Sequence, residues 1–96
     1  MARIIYSGRA LTDLQRLFEF LVVQDSEAAI ISAQRISQGV EILANHPLIG
    51  RPAAAGLREL ILSKGRTGYI ALYRFDVAHD IVRILSIRHQ RERPAK

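Results

Sequence analysis

The 96-residue chain has no cysteine. That excludes a disulfide framework, a thiolate nucleophile and any cysteine-ligated zinc or iron–sulfur centre. It also lacks a long apolar run; none approaches the ~18 residues a membrane span needs. Met1-Ala2-Arg3 leads into a strand-like segment rather than the apolar run of a signal peptide. The three histidines, His46, His79 and His89, have no metal-ligand spacing. Neither a Ser/His/Asp signature, a phosphate-cradling glycine loop nor a paired-carboxylate motif is present. No repeat, low-complexity tract or linker divides the chain. These absences leave one domain over residues 1–96, with no metal or cofactor expected, in a small soluble cytoplasmic protein. With 49% hydrophobic residues, the chain can bury a core and does not belong to the disordered class.

Charge is present but uneven. The net charge of +5 comes from 14 basic and 9 acidic residues. Residues 1–50 hold four basic (Arg3, Arg9, Arg16, Arg35) and five acidic groups, a balance of −1. Residues 51–96 hold ten basic and four acidic groups, a balance of +6. All but Lys64 and Lys96 of the basic residues are arginine, whose planar fork suits carboxylate and phosphate. Such a half suggests an anionic partner, nucleic acid or acidic protein, with a merely solvated basic surface as the alternative.

Arg3-Ile4-Ile5-Tyr6-Ser7 reads as a strand, and Ser7 or Gly8 as the cap of a helix. Leu11, Leu14, Leu17, Phe18 and Leu21 draw one apolar stripe. Asp25 or Ser26 restarts the pattern. Ala29, Ala33, Ile36, Val40 and Leu43 then form a seam that packs on the first helix as a hairpin. Gly39 inside that helix points to close packing. Asn45-His46-Pro47 ends it, and residues 47–56 read as a loop. Strands are expected at Leu57–Leu62, Tyr69–Phe75 and Ile81–Arg88, joined by turns at Ser63–Thr67 and Asp76–Asp80. His89–Lys96 reads as a short exposed tail. The fold class is therefore α+β: a single β-α-α-β-β-β domain with a helical hairpin packed on an antiparallel-rich sheet.

This order resembles the RelE/ParE superfamily of bacterial toxins from type II toxin–antitoxin (plasmid stabilisation) systems. Three segments carry the likeness: His46-Pro47-Leu48-Ile49-Gly50-Arg51-Pro52 followed by Gly56-Leu57-Arg58-Glu59-Leu60; Gly68 to Phe75; and Ile81 to Glu92. The Gly-Arg-Pro loop followed by Leu-Arg-Glu-Leu is similar to the ParE-type branch. The resemblance implies a cognate antitoxin with a DNA-binding N-terminal domain and an acidic or amphipathic C-terminal segment. It implies one of two targets: DNA gyrase, inhibited without catalysis, or messenger RNA on the ribosome, which RelE-type members cut.

RNA cleavage needs a base for the 2′-hydroxyl, cations for the developing phosphorane charge and an acid for the leaving oxygen. By the resemblance, Arg74 and Arg88 match basic positions of RelE-type sites, and His89 can shuttle a proton with an unperturbed pKa near ~6.5. The tail Gln90–Lys96 holds no tyrosine where RelE-type sites place one. A turn over Asp76–Asp80 would set Arg74 opposite Val82, on one face with Ile84, Ser86 and Arg88. As an antitoxin- or target-binding set, Arg58, Arg74, Arg83, Arg88, His89 and Arg91 are the candidates. Arg74 could instead pair with Asp76 or Glu59, and His89 could be an ordinary strand-end histidine. Arg51 is expected to fix the Gly-Arg-Pro loop through backbone carbonyls, and Tyr69 and Tyr73 to face the core or the antitoxin. The reading favours a ParE-like gyrase inhibitor; a ribosome-dependent endoribonuclease is the alternative.

Overall fold

The computed structural model describes residues 1–62 and 68–90. The residues expected to form the 63–67 turn and the end of the tail, 91–96 with Arg91, lie outside the described residues. Strand β1 (Arg3–Tyr6) is followed by helices α1 (Gly8–Gln24) and α2 (Ser26–Glu41), then β2 (Arg51–Pro52), β3 (Arg58–Ile61), β4 (Tyr69–Asp76) and β5 (Ile81–His89). Short 3-10 turns occupy Ile42–Ala44 and Ala54–Gly56.

Local chemistry sets the helix ends. The Ser7 hydroxyl accepts from the Ala10 N–H, and the Asp25 carboxylate accepts from Glu27 and Ala28. These bonds satisfy donors that the first turn of each helix leaves open. Asp25 serves twice, because its backbone N–H also closes α1 on the Leu21 carbonyl. One extended residue therefore turns the chain from one helix into the next. Gly39 confirms the close packing expected of it: a Cβ there would meet the Leu62 Cδ2 at 2.8 Å.

The five strands form one mixed sheet in the order β1-β5-β4-β3-β2. β1 runs parallel to β5, and the other neighbours are antiparallel. The hairpin covers one face. Tyr69, Ala71, Tyr73, Val82, Ile84 and Ile87 meet Ala10, Leu17, Ile36, Val40 and Leu43 in the core. Strand β2 was not expected from sequence. Two residues carry no readable period, and Arg51 and Pro52 become a strand only by pairing with Glu59 and Arg58.

The β4–β5 register differs from the sequence expectation. Leu72 faces Ser86 but Tyr73 faces Ile84, so Leu85 is an extra residue, a β-bulge. On the turn side of the bulge, Asp76 already pairs with Ile81, so Arg74 lies opposite Arg83 and Phe75 opposite Val82. The bulge resets the alternation within β5. Val82 and Ile84 point to the core before it and Ile87 after it, while Arg83, Ser86 and Arg88 take the open face. Arg74, Ser86 and Arg88 do share a face, as expected; Ile84 does not. The bulge sits where β1 ends. There the Ser7 hydroxyl donates to the Leu85 carbonyl and the Asp13 carboxylate accepts the Ile87 N–H at 2.9 Å. Two side chains of the α1 region thus satisfy strand groups that β1 no longer reaches.

Candidate functional site

Three surfaces emerge from this arrangement. The first is a groove of about 390 Å³ along the hairpin, lined from α1 by Leu11, Leu14 and Phe18 and from α2 by Ala33 and Ile36, with Tyr6 and Tyr69 beside them. The lining is mostly apolar, with Gln15, Ser32 and Ser37 as its polar members. The expected α1 stripe is divided in its use: Leu17 is buried, while Leu11 is 55% and Phe18 38% exposed. An apolar stripe in sequence does not distinguish a core contact from an open groove, because both need the same spacing.

The second surface is the open face of the sheet. Arg74 and Arg83 stand directly opposite each other there, both exposed. Like charges so placed repel. Arg74 donates to the Ala55 carbonyl at 3.5 Å, rather than pairing with Asp76 or Glu59. Glu59 is shared instead by Arg51 at 3.1 Å and Arg88 at 3.6 Å. Beside them lies a hollow of about 260 Å³, bordered by Leu57, Glu59, Leu72, Ser86 and Arg88. His89 is on the other face. It pairs with Tyr69 in the β-ladder, and the two rings meet edge to face at 5.5 Å. The structure therefore brings Arg74, Arg83 and Arg88 to one face and places His89 on the helix side. His89 belongs to β5 and is half-buried, where sequence suggested the start of an exposed tail.

The third surface is the connection from α2 to β2. The Tyr73 hydroxyl accepts the Gly50 N–H at 2.9 Å and donates to the Pro47 carbonyl at 2.8 Å. Burial raises the Tyr73 pKa, against smaller opposing effects of the Gly50 hydrogen bond and Arg58. The phenol therefore keeps the proton it donates. Arg58 Nη1 donates to the Leu48 carbonyl at 3.1 Å and the Gly50 carbonyl at 2.8 Å. The role expected of Arg51 thus falls to Arg58, because Arg58 pairs with Tyr73 on the covered face while Arg51 pairs with Glu59 on the open one. Tyr73, unassigned to the loop by sequence, is its anchor; a tyrosine 23 residues from its partner glycine leaves no local signal.

The β4–β5 turn carries a pH-sensitive pair. His79 Nδ1 lies 2.9 Å from Asp76 Oδ2, and the His79 N–H donates to Asp76 Oδ1. The His79 side-chain hydrogen bond holds the Asp76 carboxyl below its ordinary 3.8. A depressed pKa stabilises the fold above the unfolded value and loses that contribution as pH falls through the folded one. The turn should therefore loosen only below about pH 4. His79→Ala should raise the Asp76 titration midpoint toward 3.8, read from its carboxyl carbon by NMR.

Among the described residues, no helix is long and apolar enough to cross a membrane. The family described as "ParE toxin of type II toxin-antitoxin system, parDE" matches residues 4–94. Toxin RelE3 of Caulobacter vibrioides is 39% identical over 93 residues, covering 97% of this chain and 99% of that one. Toxin RelE2 of the same organism is 35% identical over 89 residues, covering 93% and 96%. The chromosomal ParDE toxin–antitoxin system from P. aeruginosa superposes with a TM-score of 0.78 at 26% identity, covering 93% of this chain and 96% of that one. With its helical hairpin on a five-stranded mixed sheet and a match running nearly end to end, the chain belongs to the ParE toxin family and is the toxin of a type II toxin–antitoxin system.

Proposed function

We propose that this toxin acts by binding a protein, DNA gyrase, rather than by cutting RNA, and that a cognate antitoxin neutralises it. The observation that carries the choice of mechanism is the division of Arg74, Arg88 and His89 between two faces of the sheet. An in-line RNA cleavage needs a proton-transfer group within hydrogen-bond reach of the phosphate that the cations hold. With His89 against Tyr69 on the helix side, the open face offers cations without that group. The Gly50-Arg51-Pro52 loop and the family match support gyrase as the target.

The antitoxin reading draws on the ParDE neighbour and on the hairpin groove. A long apolar groove between helices suits an amphipathic helix laid into it. Acidic residues of the same antitoxin segment would meet Arg74, Arg83 and Arg88.

In cells, induction of the toxin alone should relax a reporter plasmid, and co-expression of the antitoxin should restore its supercoiling. The relatives named RelE, together with the Arg74–Arg83 pair, favour the ribosome as the second reading. Primer extension on messenger RNA from the same cells decides between them. Cuts placed at codon positions, with plasmid topology unchanged, would replace the gyrase reading by the nuclease one.

A further inference from the structure

We propose that Leu48 and Ile49 form a convex docking knob for the toxin's target, which receives them in an apolar protein pocket rimmed by carboxylates. The inference deepens the reading above and rests on it, since it takes the target to be a protein.

Leu48 and Ile49 are each 58% exposed, at the tip of the connection between α2 and β2. Single exposed aliphatic residues are common on any surface and need no partner. These two differ in how they are held. The Tyr73 hydroxyl binds the backbone on both sides of them, at Pro47 and Gly50. Arg58 binds the carbonyls of Leu48 and Gly50. The Ile49 N–H donates to the His46 carbonyl at 3.1 Å. Four hydrogen bonds from buried Tyr73 and half-buried Arg58, and a fifth within the tip, thus fix residues 46–50 with Leu48 and Ile49 exposed. A surface ordered before contact loses little freedom on binding, and that raises affinity.

The shape separates this partner from the antitoxin. The hairpin groove is concave and receives a segment; neither Leu48 nor Ile49 lines it. The tip is convex and fits into a partner's pocket. The charge around it gives the rim its sign. Residues 42–58 contain no Asp or Glu and carry Arg51 and Arg58. The nearest carboxylate on the sheet, Glu59, already serves both Arg51 and Arg88. Carboxylates on the partner would complement this excess and steer the encounter.

The test uses the full chain with Leu48→Ser and Ile49→Ser together. Growth arrest on induction reads target engagement without presupposing the target, and titration with the cognate antitoxin reads the other surface. The double variant should need at least tenfold more protein to arrest growth, while its antitoxin affinity stays within about threefold and its melting temperature is unchanged. Arrest at the parent's level would overturn the proposal. So would a parallel loss of antitoxin binding in a variant that still melts normally, which would give the tip to the antitoxin. Should the double variant fold poorly, Leu48→Ser and Ile49→Ser are read singly by the same criteria. Failure of the unaltered chain to arrest growth would overturn the toxic reading itself and this inference with it. Arrest by the parent together with codon-position cuts would overturn the protein target, and the knob with it.

Discussion

Gly50→Ala is expected to destabilise the fold by about 3 kcal/mol. A Cβ at that position would lie 2.6 Å from the Tyr73 ring and hydroxyl and 2.8 Å from the Glu59 carbonyl oxygen. Overpacking of this kind costs roughly 1–3 kcal/mol. Here the neighbours cannot yield cheaply, because one is backbone and the other is a ring buried in the core. Moving Tyr73 aside also breaks its bonds to Gly50 and Pro47. Buried partners left unsatisfied add about 1–3 kcal/mol. For a domain of this size, thermal melts should show a fall of roughly 12–24 °C. Gly39→Ala is the control. Its Cβ would meet only the far end of the Leu62 side chain, and the helix gains about 1 kcal/mol in propensity, so the two effects nearly cancel. A Gly50→Ala protein as stable as the parent would show that the Tyr73 anchor is not what holds the 46–50 tip.

A charge placed in the hairpin groove should weaken antitoxin binding sharply and leave the fold intact. Leu11 and Phe18 line the groove yet are 55% and 38% exposed. Replacing either by glutamate therefore removes little core packing in the free toxin. In the complex, an apolar helix face would have to desolvate the new carboxylate without a partner for it. Affinity should fall by at least about a hundredfold, or about 2.8 kcal/mol, as read by isothermal titration with the cognate antitoxin. The same variants should remain toxic, because the groove lies apart from both the open face and the 46–50 tip. Antitoxin binding undiminished by Leu11→Glu and Phe18→Glu would place the antitoxin elsewhere, with the open face as the next surface to probe.

Much of this architecture was legible in the residues. The residues narrow the helix starts to Ser7 or Gly8 and to Asp25 or Ser26, and Ser7 and Asp25 take the role because a short oxygen-bearing side chain is what an open first turn lacks. Alternation puts Tyr69 and Tyr73 on one side, facing the core or the antitoxin, and both are found in the core. What escaped has a common cause: each missed feature depends on pairing with another element, which no local pattern records. β2 exists only through β3. The bulge at Leu85 arises beside the end of β1, where Ser7 and Asp13 take the next strand groups; nothing within Ile81–Arg88 announces it. A turn one residue shorter than expected, closed by the Asp76–Ile81 pair, moves Arg74 from Val82 to Arg83. The separation of His89 from Arg88 follows from strand alternation alone, whereas Arg83 joins the face of Arg88 only because of the extra residue between them.

A toxin that disables a protein target without catalysis should act on purified target alone. The most direct measurement is supercoiling of relaxed plasmid by purified DNA gyrase, titrated with the purified chain in the presence and absence of its antitoxin. Supercoiling should be lost at saturating toxin and restored once the antitoxin matches the toxin in amount. Undiminished supercoiling at saturation, with messenger RNA cut at codon positions when the same preparation is added to ribosomes, would contradict the account.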